Sequence, residues 1–160
     1  MRLTFLFLTV AVCCASGATA ACSPPFQAVG LKCLLVNNLA FGSWFDMKHY
    51  CSLLSSDLVQ LDVATDFAAL VEFIAEEGLT KAYYWIGASD EGKEGEWKWT
   101  ASSNAVQMGA PFWAPTGSGC SAQEPKGGAQ QNCAALNPNK HYYFDDLPCS
   151  NQAAVICEKK

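Results

Sequence analysis

Residues 123–149 read QEPKGGAQQNCAALNPNKHYYFDDLPC, and the rest of the chain is best read outward from them. The span holds Glu124-Pro125, the turn residues Gly127 and Gly128, Cys133 and Cys149, an aromatic run and the pair Asp145-Asp146. Carboxylate and amide oxygens at this density suit a hard cation such as calcium, which takes oxygen ligands. One residue is out of character. Lys126 puts an ammonium where another oxygen would serve a cation.

The N-terminus sets the compartment. Arg2 precedes an apolar run over residues 3–12, followed by small residues and the triplet Ala18-Thr19-Ala20. The run is too short to span a bilayer, and its layout is that of a secretory signal peptide. We therefore expect residues 1–20 to be a cleaved leader and residues 21–160 a single secreted, extracellular domain without membrane insertion. Losing Arg2, the only arginine, moves the formal charge from −5 to −6. An acidic, arginine-free surface argues against nucleic acid, which requires a basic footprint.

Nine cysteines less Cys13 and Cys14 of the leader leave Cys22, Cys33, Cys51, Cys120, Cys133, Cys149 and Cys157. Outside the cell, six of these are expected to form three disulfides, with one left over. There is no CxxC pair to suggest a zinc ribbon or a thioredoxin-like site.

Periodicity supplies the elements. Residues 26–36 alternate and break at Gly30, as in a short strand pair. Ser43 can cap a helix to about Leu54 with Trp44, Met47 and Cys51 on one face. A second helix starts at Asp62 or Thr65, carries Phe67, Leu70, Val71 and Ile74 on one stripe, and ends at Gly78. Strands are expected over residues 84–87 and 96–100, then over 133–136, 141–144 and 153–158. Residues 101–132 show neither period, and a loop that long in a compact domain is usually functional or disordered. The order predicts an α+β fold with two helices, small antiparallel sheets and a long loop.

These residues resemble the C-type lectin domain in its long form. The likeness rests on Trp85-Ile86-Gly87, Glu94-Gly95, Trp97, Trp44 ahead of Cys51, and the Cys133…Cys149…Cys157 spacing. It implies the pairs Cys22–Cys33, Cys51–Cys157 and Cys133–Cys149, leaving Cys120 unpaired. In that family the principal sugar site is a calcium ion held by oxygens that also bind two sugar hydroxyls. The resemblance maps this site onto Glu124, Gln131, Asp145 and Asp146, with Pro125 in cis and Lys126 at the position of a ligand. An auxiliary calcium site maps onto Asp90 and Glu94, with its other ligands expected near Gly127, Gln131 and Asn132; turn chemistry in the SDEGKEG segment explains Asp90 and Glu94 unaided.

Lys126 and Gln131 depart from the family pattern. An ammonium about 5 Å from a divalent ion is repelled by roughly 6–7 kcal/mol at an effective dielectric near 20. Extracellular calcium modules bind only at about 0.1–1 mM, so one or two lost ligands can empty such a site. Two readings of calcium stay open: a weakened ion site, or a lysine ammonium in the ion's place. The resemblance implies a lectin that binds carbohydrate, mannose-type or on microbial surfaces as in innate immunity, through Glu124, Lys126, Asp145 and Asp146. The alternative is a degraded sugar site that takes a protein, lipid or surface ligand without calcium.

Catalysis is not expected. The two histidines, His49 and His141, belong to no catalytic motif, and neighbours such as Asp145 and Asp146 point to opposite faces of a strand. Of Tyr142 and Tyr143, one is expected exposed beside the site. The spare Cys120, in a Gly-rich insertion, suggests a disulfide-linked homodimer or an idle thiol.

Overall fold

The structure, a computed structural model, describes residues 22–160. The leader expected over residues 1–20 lies outside the described residues. Strands β1 (Gln27–Val29) and β2 (Lys32–Gly42) form a hairpin that turns at Gly30, whose φ of 58° is one glycine tolerates. The Cys22–Cys33 bridge closes it.

Helix α1 (Trp44–Leu53) opens with a reciprocal capping box. The Asp46 amide donates to the Ser43 hydroxyl, and the Ser43 amide donates to the Asp46 carboxylate. The Ser43 hydroxyl also donates to the Asp46 carboxylate at 2.6 Å, and this bond together with that from the Ser43 amide holds the Asp46 carboxyl below its ordinary range. Strand β3 (Ser56–Leu58) follows, then α2 (Ala64–Glu76), which buries Phe67, Leu70 and Ile74. Gly78, at φ 65°, ends it in a Schellman motif: the Leu79 amide donates to Ile74 and the Gly78 amide to Ala75.

Strand β4 (Tyr84–Ser89) is buried along its whole length. It pairs parallel with β10 (Ala153–Lys159) and antiparallel with β5 (Lys98–Trp99) and β8 (Cys133–Leu136). Strand β9 (Phe144–Leu147) adds to β8, so the main sheet runs β1-β2-β10-β4-β8-β9, with β3 on β10 and β5 on β4. Alternation divides the core between the two faces. Tyr84, Ile86, Ala88, Ala134, Leu136, Ala154 and Ile156 pack toward α2 and the loop aromatics. Trp85, Cys133, Ala135, Val155 and Cys157 pack toward α1.

The Trp85-Ile86-Gly87 signature has a local cause. Trp85 Nε1 donates to the Gly42 carbonyl and Trp44 Nε1 to the Ile86 carbonyl, each at 2.9 Å. A Cβ on Gly87 would stand 2.8 Å from the Leu58 carbonyl oxygen, so the backbones can approach only at a glycine. Cys51–Cys157 ties α1 to β10 across 106 residues, and Cys133–Cys149 closes the β8–β9 pair.

Two expectations for local structure change. The loop over residues 101–132 contains a small hairpin, β6 (Pro115–Thr116) with β7 (Ala122–Gln123), too short to show a period. The strand expected at residues 141–144 begins only at Phe144. His141 and Tyr142 have left-handed φ values of 53° and 63° and close a turn that Asn137 caps.

Candidate functional site

Three backbone links bring the loop to the sheet edge. The Phe144 amide donates to Phe112, the Ala114 amide to Phe144, and the Glu124 amide to Ala114. They set Glu124 beside β9, with the Glu124–Pro125 peptide in cis. The antiparallel register of β8 and β9 pairs Ala135 with Asp145 and Ala134 with Asp146. Side-chain oxygens of Glu124, Asp145 and Asp146 then lie within 4.8 Å of one another, although Asp145 and Asp146 are chain neighbours. Asp145 and Asp146 are 7% and 3% exposed, so their charges need partners.

The protein supplies those partners. Lys140 Nζ donates to Glu124 Oε1 at 2.7 Å and to Asp145 Oδ1 at 2.8 Å. Asn137 Nδ2 donates to Asp145 Oδ2 at 2.6 Å. Asp146 accepts from the backbone amides of Lys126 and Gly127. Burial alone would lower the Lys140 pKa, but hydrogen bonds and charge from Asp145 and Glu124 more than reverse this and raise it. The lysine side chain keeps 31% exposure against 11% for Glu124 and 9% for Asp145, so an ammonium caps the two carboxylates.

Lys140 was not among the residues singled out from the sequence. The Lys126 side chain, which the family likeness placed at a ligand position, is exposed and forms no ion pair among the described residues; Lys126 takes part through its amide. A signal for Lys140 was available, because Asn137-Pro138 starts a tight turn that brings residue 140 back toward Asp145.

Gln131 falls on the other side of Asp146. It packs over Gly127, where an added Cβ would overlap its Oε1, and helps line a cavity of about 150 Å³ with Asp90, Glu94, Pro125 and Asp146. Asp90, 3% exposed, accepts from the Gly95 amide through Oδ2, while its buried Oδ1 has no partner. Tyr142 is buried with its hydroxyl accepting from the Lys81 amide, and Tyr143 packs on Phe67 of α2. Tyr143 is half-buried, so neither is the exposed ring expected beside the site. Cys120 is exposed and free.

Calcium takes six to eight oxygens at about 2.3–2.6 Å. Five of the six carboxylate oxygens of Glu124, Asp145 and Asp146 already accept from the protein, and an ammonium stands between two of these carboxylates. The ion does not fit this cluster beside Lys140. The Asp90 cavity fits a hard cation better, because a buried carboxylate oxygen there is unclaimed.

The chain belongs to the C-type lectin domain family, a carbohydrate-binding and non-enzymatic family, matching it over residues 42–159. It is 30% identical over 118 residues to human C-type lectin domain family 17, member A, covering 74% of this chain and 27% of that protein. The mouse scavenger receptor C-type lectin carbohydrate-recognition domain superposes with a TM-score of 0.63 at 26% identity, covering 87% of this chain and 98% of the other. A calcium-independent type II antifreeze protein shares the fold, with a TM-score of 0.63 at 22% identity over 86% of this chain and 93% of that one. No helix among the described residues is long and apolar enough to cross a membrane.

Proposed function

We propose that this domain is an extracellular glycan-recognition module whose contact surface is the Glu124–Lys140–Asp145 cluster, with Lys126 at its rim. The observation that carries this reading is the ammonium shared at 2.7 and 2.8 Å between two carboxylates at the sheet edge. It sets donors and acceptors side by side on a platform stiffened by Cys133–Cys149. A pair of neighbouring sugar hydroxyls, each both donor and acceptor, complements such an array. Mannose-type and other hydroxyl-rich microbial glycans are the ligand class. Calcium, where it takes part, is held at the Asp90 cavity with Glu94 and Gln131, and there supports the loop that presents Glu124. The three disulfides support an oxidising, secreted location.

A glycan array or mannan pull-down with and without chelator tests this. Binding that survives chelation and is lost in Glu124→Gln is the expected result. A second reading, in which the platform takes a protein, lipid or mineral surface, is favoured by the ammonium itself, since Lys140 stands where an ion would grip two hydroxyls. Absence of glycan binding in both conditions overturns the first reading and selects the second.

A further inference from the structure

We propose that Lys140 is the resident cation of this site: its ammonium takes the place of a divalent ion, and a single substitution there uncovers a calcium site. The inference concerns what fills the cluster and does not depend on whether the ligand is a glycan.

The lysine is delivered by a built turn. The Asn137 side chain accepts from the Asn139 amide at 2.8 Å and donates to Asp145 at 2.6 Å, so one residue fixes both the turn and the carboxylate it serves. The Asn137 carbonyl accepts from the amides of Lys140 and Tyr142, at 3.0 and 2.8 Å. The Asn137 amide donates to Tyr143. Left-handed His141 and Tyr142 then return the chain to β9. With Asn137 only 3% exposed, this turn has little freedom to carry Lys140 elsewhere.

Among the described residues no other lysine is bound at hydrogen-bond distance to two carboxylates: Lys32, at 16% side-chain exposure, meets Glu158 alone at 2.7 Å. Lys93 pairs with Glu96 at 72% and 45% side-chain exposure, which is an ordinary solvated pair. Lys140 instead meets two carboxylates that are about one-tenth exposed, converging with a third within 4.8 Å. Two buried carboxylates that converge stay ionised together only beside a counter-charge, and the chain carries its own. Substitution of Lys140 by an uncharged residue leaves Glu124, Asp145 and Asp146 as convergent oxygen donors without that counter-charge. A divalent ion is then the species that fits them. With Gln131 in the Asp90 cavity and a lysine, which has no oxygen to offer, at position 126, the donor set is incomplete, and affinity should fall near the weak end of extracellular modules, about 1 mM.

The test is calcium stoichiometry by isothermal titration on the secreted protein. Lys140→Met should bind one more calcium per chain than wild type, Lys140→Arg should not, and Lys140→Met with Glu124→Gln should lose the added ion. The Asp90 cavity is common to all four proteins and cancels in the difference. Equal stoichiometry in wild type and a folded Lys140→Met overturns the proposal. If Lys140→Met folds poorly, Glu124→Gln alone decides. It leaves wild-type calcium stoichiometry unchanged if Lys140 is the cation, and removes one ion if the wild-type cluster is metal-loaded.

Discussion

Two acidic regions of this domain lie on either side of Asp146, and they solve the problem of buried charge in opposite ways. At the sheet edge, Glu124, Asp145 and Asp146 are met by Lys140, Asn137 and two backbone amides. In the adjoining cavity, Asp90 keeps one buried oxygen without a partner. A network whose charges are met within the protein needs no ion from solution. An unsatisfied buried carboxylate invites a cation or water, because leaving it bare costs free energy. The family resemblance alone ranks the two regions the other way, with the cluster as the principal ion site.

The largest expected effect tests the scaffold under the cluster. Replacing Cys133 and Cys149 together by serine opens a 16-residue separation and should cost about 3 kcal/mol, or roughly 10 °C in melting temperature. Glycan or surface binding should fall with it, while the β1–β2 hairpin keeps its own bridge. Next in size is Lys140→Ala. It strips the counter-charge from two mostly buried carboxylates and should destabilise by about 1–3 kcal/mol, read by denaturant unfolding with chelator present. Millimolar calcium should restore part of that loss, stabilising the variant more than it stabilises wild type, since the Asp90 cavity is common to both.

On the other side of the comparison, Asp90→Asn should be mild in the absence of calcium, below about 1 kcal/mol. Its amide oxygen can still accept from Gly95, and the second oxygen has no partner to lose. Any calcium-dependent gain in melting temperature shown by wild type should disappear in this variant. A gain that persists would move the ion away from the cavity. The smallest effect belongs to Lys126→Asn. Its side chain is exposed and its structural role is an amide hydrogen bond, so stability should stay within about 0.5 kcal/mol of wild type. A large loss would restore Lys126 as the cluster's cation.

Much of the scaffold was legible from residues alone. Ser43 and Gly78 marked a helix start and a helix end because capping and left-handed backbone are local chemistry. The stripe Phe67, Leu70, Ile74 gave α2 its buried face. Disulfide connectivity came from the family likeness, since spacing leaves the pairing open.

The site was less legible, for reasons tied to particular residues. The run His141 to Phe144 reads as a strand by composition, yet Asn137-Pro138 starts a turn whose left-handed residues delay β9 to Phe144. That same turn brings Lys140 onto Asp145. Lys126 drew attention because it follows Glu124-Pro125, but adjacency says nothing of where a side chain ends. The likeness offers Gln131 to both the principal and the auxiliary site, and the tight turn over Gly128–Gln130 puts it on the Asp90 side of Asp146.

The most direct measurement is a crystal structure of the wild-type protein grown in calcium of about 10 mM, roughly tenfold above the weakest affinities of extracellular calcium modules. The account predicts Lys140 Nζ between Glu124 and Asp145, at hydrogen-bond distance from both, with any bound ion confined to the Asp90 cavity. A calcium ion among Glu124, Asp145 and Asp146, with Lys140 turned out to solvent, would contradict it.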